Sequence, residues 1–241
     1  MEMKHILILG HGGMLGHMVS KYLADKCVCY TTRHRFPYEE FKHDILNFSG
    51  DYIINCIGAV PQRKKEFQVN FDLPIWLSDN AKCKVIHPST DCEVDDNEYG
   101  ISKRKAAEYI KTYSNNTKII KTSIIGPELN GHSSLLSWFL SSTGEVNGYK
   151  NAMWNGITTL EWAKLCYNMI NWWDSFHTEN IAQSSCVSKY ELLVILKELY
   201  QKDIIIIPFE NKFIDKCLNG TIMTKHIKEQ LEDLKKYYES N

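Results

Sequence analysis

Along the first half of the chain, short apolar runs are separated by amphipathic stretches. "HILIL" (5–9) precedes a helical pattern through "MLGHMVSKYLAD". Then come "CVCYTT" (27–32), "DYIINCIG" (51–58), a helical stretch around 66–81, "CKVIHPS" (83–89), a helix from about 99 to 114, and "TKIIKTSIIG" (117–126). The apolar runs do not alternate with polar residues, so each strand has both faces covered. With strands and helices alternating, the pattern predicts an α/β fold, a Rossmann-type doubly wound parallel sheet. After Gly126 the pattern loosens, leaving "TTLEWAKLCYNMINWW" (158–173), "SKYELLVILKELYQ" (188–201) and "DIIIIP" (203–208). These imply a small discontinuous C-terminal lobe. The expected division is a dinucleotide-binding domain over 1–126, with 152–175 packing back on it, and a substrate lobe from 127–151 and 176–241. Ser188 and Glu191 form a capping-box pattern, and Trp172-Trp173 and Ile204 to Ile207 read as core.

Composition narrows the class. The 241 residues carry 28 basic and 29 acidic side chains, a formal net charge of -1, which gives no field to draw in nucleic acid or an anionic membrane. No stretch approaches the roughly 18 apolar residues of a membrane span, so a soluble, cytoplasmic protein is expected. Eight cysteines without a C-x-x-C pair read as reduced thiols, implying neither a metal site nor a disulfide. Cys27 and Cys29 share a strand face and read as packing residues.

Chemistry enters at "LGHGGMLGH" (9–17). Gly10, Gly13 and Gly16 fit G-x-x-G-x-x-G between a first strand and a helix, with Met14 and Leu15 inside the motif. A pyrophosphate on a helix N-terminus needs unshielded amides and close helix–strand packing. The second strand ends at Thr32-Arg33-His34-Arg35, without an acid to accept bonds from a ribose 2′-hydroxyl. Arg33 and Arg35 suit a 2′-phosphate, which favours NADP(H) over NAD. In "YGISK", Tyr99 and Lys103 stand four apart on one helix face, and an ammonium beside a phenol favours the phenolate. Such a pair protonates a carbonyl oxygen that receives hydride. One strand upstream, "PSTD" places the Ser89 and Thr90 hydroxyls at a strand end.

Together with Asp44-Ile45, "NCIGAV" (55–60), "HPSTDC" (87–92) and "TSIIGPE" (122–128), these motifs resemble the extended short-chain dehydrogenase/reductase superfamily. "SLLSWFL" (134–140) and "VNGYKNAMWNGITTLEWAK" (146–164) are similar to its dTDP-4-dehydrorhamnose reductase-like group. The resemblance implies that Thr90 bonds the substrate carbonyl, Tyr99 protonates it, and Lys103 holds the nicotinamide ribose while lowering the tyrosine pKa. It implies adenine contacts from Asp44 and Ile45, a cofactor trough along Cys56, Gly58 and Ala59, and substrate contacts from Thr90, Asp91, Trp154 and Asn155, with Gly156 beside them. A turn ahead of the 158–173 helix explains Asn155 equally well. A nucleotide-sugar substrate and a homodimer go with the resemblance.

The chain departs from the group between Thr90 and Tyr99, where only eight residues stand in place of a longer loop. Cys92 follows Asp91 where dehydratases of the superfamily carry Glu, which disfavours water elimination. Cys92, with His132, instead resembles the Cys/His pair of GDP-fucose synthases, which epimerises beside the ketone; packing under the short loop is the bland reading of Cys92. The expectation is an NADPH-dependent reductase of a nucleotide-linked 4-keto-6-deoxy hexose, with C3 epimerisation left open. An NAD-bound nucleotide-sugar 4-epimerase and a non-catalytic NADP-binding scaffold are the alternatives.

Overall fold

The computed structural model describes residues 2–64, 66–210 and 212–240. The chain forms two units, 1–121 with 163–180, and 122–162 with 181–241. The boundary expected after Gly126 thus falls after Lys121, and the segment returning to the first unit is 163–180 rather than 152–175.

The first unit runs β1 (His5–Leu9), α1 (Met14–Leu23), β2 (Val28–Thr31), α2 (Glu39–Asn47), β3 (Tyr52–Asn55), α3 (Val69–Asn80), β4 (Lys84–Ser89), α4 (Glu98–Tyr113) and β5 (Thr117–Lys121). A 3-10 turn over Asp91–Val94 links β4 to α4. The chain continues through β6 (Ile124–Ile125), α5 (Leu135–Ser141), β7 (Glu145–Tyr149), β8 (Ala152–Trp154), β9 (Ile157–Thr158), α6 (Thr159–Asn171), β10 (Glu179–Gln183) and β11 (Val187–Ser188). It ends with α7 (Lys189–Tyr200), β12 (Ile205–Phe209), β13 (Ile214–Asp215), β14 (Ile222–Met223) and α8 (Ile227–Glu239).

The central sheet has seven strands in the order β14-β10-β5-β4-β3-β1-β2. β1 pairs in parallel with β2 on one side and β3 on the other, and β3–β4 and β4–β5 are also parallel. Strand order therefore reverses between β1 and β3, and a crevice opens outside their carboxyl ends, where open α/β sheets bind ligands. Ile6, Leu7, Ile8 and Leu9 are all buried, as the non-alternating run required. On one face Leu7 and Leu9 pack with Phe41 and Ile45 of α2 and with Leu73 and Leu77 of α3. α1 buries Leu15, Met18, Val19 and Leu23.

The second unit holds smaller sheets, β11-β8-β13, β12-β7 and β6-β9. The capping box forms as the sequence predicts: Ser188 Oγ accepts from the Glu191 amide at 3.1 Å, and Glu191 accepts from the Ser188 amide at 2.7 Å. Three expectations are corrected. In the 204–207 run only Ile204 is fully buried, because β12 is an edge strand with one open face that exposes Ile205 and Ile207. Trp173 packs on Tyr52 with ring centroids 5.7 Å apart, whereas Trp172 is exposed. Cys186 and Cys217 form a disulfide across 31 positions, with Cα atoms 6.0 Å apart, a pairing that only the chain's return through β13 creates.

Reducing that disulfide frees a long loop in the unfolded chain and is expected to lower stability by about 4 kcal/mol. Thermal unfolding with and without a phosphine reductant checks this, and Cys186→Ser should show the same loss and no further response to reductant.

Candidate functional site

The glycine loop leaves β1 at Gly10, whose φ of +74° only glycine adopts easily and whose missing Cβ would lie 3.0 Å from the Cys56 carbonyl. A Cβ on Gly16 would stand 2.1 Å from the Gly10 oxygen, so α1 lies against the loop more closely than any larger residue allows. At the other end of the motif the space is open. Nothing lies within 4 Å of a Cβ built on Gly12, and α1 starts at Gly13 without a side-chain cap. The first amides of α1 thus face the crevice with the positive end of the helix dipole, and a dinucleotide pyrophosphate fits there. Met14 is half-buried in the first turn, and Leu15 turns into the core.

At the end of β2, Arg33 and Arg35 are both exposed. The acid missing from this stretch of sequence arrives from α2. Asp44 Oδ2 accepts from Thr32 Oγ1 and lies 2.8 Å from His34 Nδ1, and these partners hold its carboxyl below the usual range against the opposing effect of burial. Ile45 is 1% exposed within the core under α2, so its side chain offers a ligand no surface, contrary to its expected adenine contact.

Across the crevice, the Cys56 amide donates to the Leu9 carbonyl at 2.9 Å, joining the ends of β1 and β3. Burial pushes the Cys56 thiol up, away from any thiolate role. Gly58 is exposed. Ala59 is bracketed by Asn70 on α3, which accepts from its amide at 2.8 Å and donates to its carbonyl at 2.9 Å. Sequence reasoning missed Asn70; the signal available was a polar residue on the face of a helix that buries Leu73 and Leu77.

The polar constellation sits where β4 ends. Thr90 Oγ1 lies 3.0 Å from Asp91 Oδ1, accepts from the Cys92 amide at 3.2 Å, and is in hydrogen-bonding contact with the Tyr99 phenol. Phe67 packs on Tyr99 with ring centroids 5.6 Å apart. Lys103 is buried, with Nζ 3.5 Å from the Pro88 carbonyl oxygen and 3.6 Å from where a Cβ on Gly58 would stand. Asn55 Nδ2 donates to His87 Nδ1 at 3.1 Å, and burial together with the Lys103 charge keeps His87 neutral. Burial also dominates the titration of the pair. It raises Tyr99 to about 12 and lowers Lys103 to about 8. The expected shift of Tyr99 toward phenolate is therefore reversed, because desolvation outweighs the favourable contact with Thr90. Cys92 Sγ lies 3.6 Å from Asp91 Oδ1.

The remaining candidates belong to the second unit. His132 is exposed in the loop before α5. Trp154 is buried under Lys189 Nζ, 4.9 Å from its ring, and Gly156 leaves room for that ring. Asn155 donates to the Leu218 carbonyl at 2.7 Å and accepts from the Leu218 amide at 2.8 Å, so its amide anchors the chain after β13.

No family model and no curated protein matches this sequence. Solved structures do match over the whole chain. A dTDP-4-dehydrorhamnose reductase from Bacillus anthracis in complex with NADP superposes with a TM-score of 0.78 at 15% identity, covering 100% of both chains. One from Clostridium acetobutylicum gives 0.72 at 17% identity, covering 98% of this chain and 99% of that one. A UDP-N-acetylglucosamine 4-epimerase from Bacillus cereus gives 0.69 at 16% identity, covering 96% and 95%. The chain shares with these structures its fold, a Rossmann-type parallel sheet flanked by helices. In this fold, the first unit brings the glycine loop, the Cys56–Ala59 segment and the Thr90, Tyr99 and Lys103 side chains to the same carboxyl edge of the sheet.

A Cβ at Gly13 meets only the Gly10 oxygen, at 3.3 Å, and a branched side chain built on it stands beside the open amides of α1. Gly13→Val is therefore expected to keep its far-UV circular dichroism and lose nicotinamide-dinucleotide binding at least tenfold, measured by fluorescence titration with NADH and NADPH. Gly16→Val is expected to yield little folded protein.

Proposed function

We propose that the protein is an NADPH-dependent reductase of a nucleotide-linked 4-keto-6-deoxy hexose, carried on a UDP- or dTDP-type nucleotide. The observation that carries the reading is the grouping of the Thr90 hydroxyl, the Tyr99 phenol and the buried Lys103 ammonium beside the crevice that receives a dinucleotide. The open α1 N-terminus would hold the pyrophosphate, Arg33 and Arg35 the 2′-phosphate, and Lys103 the nicotinamide ribose. When bound, the nicotinamide supplies the hydride that reduces the carbonyl carbon.

The residues of the chain handle the proton and the charge. Tyr99, fully protonated at neutral pH, donates its phenolic proton as negative charge develops on the carbonyl oxygen. The Thr90 hydroxyl, whose one proton points to Asp91 Oδ1 in the free protein, would turn to donate a hydrogen bond to the same oxygen. The Lys103 ammonium stabilises the phenolate left behind, a role that matters more because the site is desolvated. Asp44 remains a carboxylate, with Oδ2 accepting from Thr32 and lying against His34.

The test follows NADPH absorbance with purified protein and UDP- or dTDP-4-keto-6-deoxy sugars, with and without a 2-acetamido group, and then identifies the product by NMR. Consumption of NADPH with formation of a 4-hydroxy sugar is expected. Inversion at C3 in that product, abolished by Cys92→Ser, would assign Cys92 and His132 to epimerisation. Tightly held NAD with no net consumption would replace the reading by a 4-epimerase. Tyr99→Phe is expected to lower kcat about 100-fold or more without loss of NADPH affinity. Lys103 acts as the ammonium, and that form is lost as pH rises through about 8, so the rate should fall above that pH.

A further inference from the structure

The shortened link between β4 and α4 carries a buried carboxylate that the catalytic reading does not use. Glu93, in the 3-10 turn, is 4% exposed and joins three elements. Its Oε1 accepts from Ser89 Oγ on β4, and its Oε2 pairs with Lys121 Nζ on β5 at 2.5 Å. Its backbone carbonyl accepts from Arg104 Nη1 on α4 at 2.8 Å, and the same guanidinium reaches the Asp95 carbonyl at 3.5 Å and the Asp96 carboxylate at 3.6 Å. Ser89 directly precedes Thr90, and Arg104 directly follows Lys103. Two of the three attachments of Glu93, Ser89 and Arg104, therefore lie next to a residue of the constellation, and the third, Lys121, ties the turn to β5.

Lys103 needs such a partner. Its ammonium lies against the Pro88 carbonyl on β4 and the Gly58 position in the loop after β3, and its charge is felt by the neutral His87 on β4. Desolvation favours the uncharged amine, and the charge of Glu93 opposes it. Lys121 pairs with the Glu93 carboxylate, and Arg104 holds its backbone carbonyl. We propose that Glu93 is a positioning residue: by tying β4, β5 and α4 together in place of a longer loop, it sets the Thr90 hydroxyl and the Lys103 ammonium at the crevice. This rests on the reductase reading for its effect on rate, but not for its effect on Lys103 itself.

The test compares wild type, Glu93→Gln and the double variant Glu93→Gln/Lys121→Met, which removes the lysine left unpaired by the first change. Lys103 is titrated by NMR of protein labelled with 13C at the lysine ε-carbon, its signal assigned by its absence in Lys103→Met. In both variants the Lys103 midpoint is expected to fall by about one pH unit or more. kcat at pH 7.5 should fall at least tenfold, with KM and NADPH affinity within twofold, and the alkaline limb of the rate should move down with the lysine. The double variant should regain the thermal midpoint that Glu93→Gln loses, but not the rate or the titration. An unchanged Lys103 midpoint in the double variant, or full return of its rate, overturns the proposal and leaves Glu93 a structural brace. If wild type reduces none of the sugars, the reductase reading fails while the titration still decides the link between Glu93 and Lys103.

Discussion

The approach of α1 to the Gly10 carbonyl is the constraint on which the first unit turns. With a hydrogen in place of a side chain at Gly16, the helix comes close enough to the strand-end loop for its first amides to face the crevice between β1 and β3. The Cys56 amide closes the other wall on the Leu9 carbonyl. If α1 stood farther out, the helix dipole would point past the crevice, and the residues at the ends of β3 and β4 would face no anchored ligand. Close packing of backbone on backbone thus places the phosphate end of a ligand, and the parallel sheet carries that placement across to the carboxyl end of β4.

Burial sets the chemical character of the other end. The same loss of solvent moves Tyr99 and Lys103 toward their neutral forms, one upward and the other downward. Such a pair stores its proton on the phenol, which suits delivery to a developing alkoxide more than abstraction from an alcohol. For the lysine, the charge of Glu93 opposes that desolvation, with the carboxylate held by Ser89 on β4 and Lys121 on β5 and the backbone carbonyl held by Arg104 on α4.

The periodic features were legible in the sequence because each depends on residues close together along the chain. Strands β1 to β5 of the central sheet, the glycine motif, the Tyr99–Lys103 spacing and the capping box at Ser188 are all of this kind, whereas β10 and β14, which complete the sheet, were not legible. What was not legible arises from long-range contacts. Asp44 reaches Thr32 only because α2 folds back over the end of β2, and Asn70 reads as an unremarkable helix residue until the 56–59 loop lies against it. Glu93 sits in a charged stretch that looks solvated and becomes buried only when Lys121 closes over it. The same logic separates Cys186 and Cys217, two unremarkable thiols in sequence that β13 brings side by side. Four consecutive isoleucines read as core, yet a strand with a single neighbour exposes alternate members.

That exposed strand carries its own protection. The Ile205 amide donates to Gly144 and the Phe209 carbonyl accepts from Lys150, so alternate residues of β12 spend their backbone groups on the β7 side. The intervening positions, Ile206 and Pro208, therefore direct theirs to the open edge, and at Pro208 there is no N–H to offer. A second strand adding to this apolar edge meets a missing donor in the middle of the ladder. The proline acts as a gatekeeper against edge-to-edge aggregation, letting Ile205, Ile207 and Phe209 stay at the surface without templating a growing sheet.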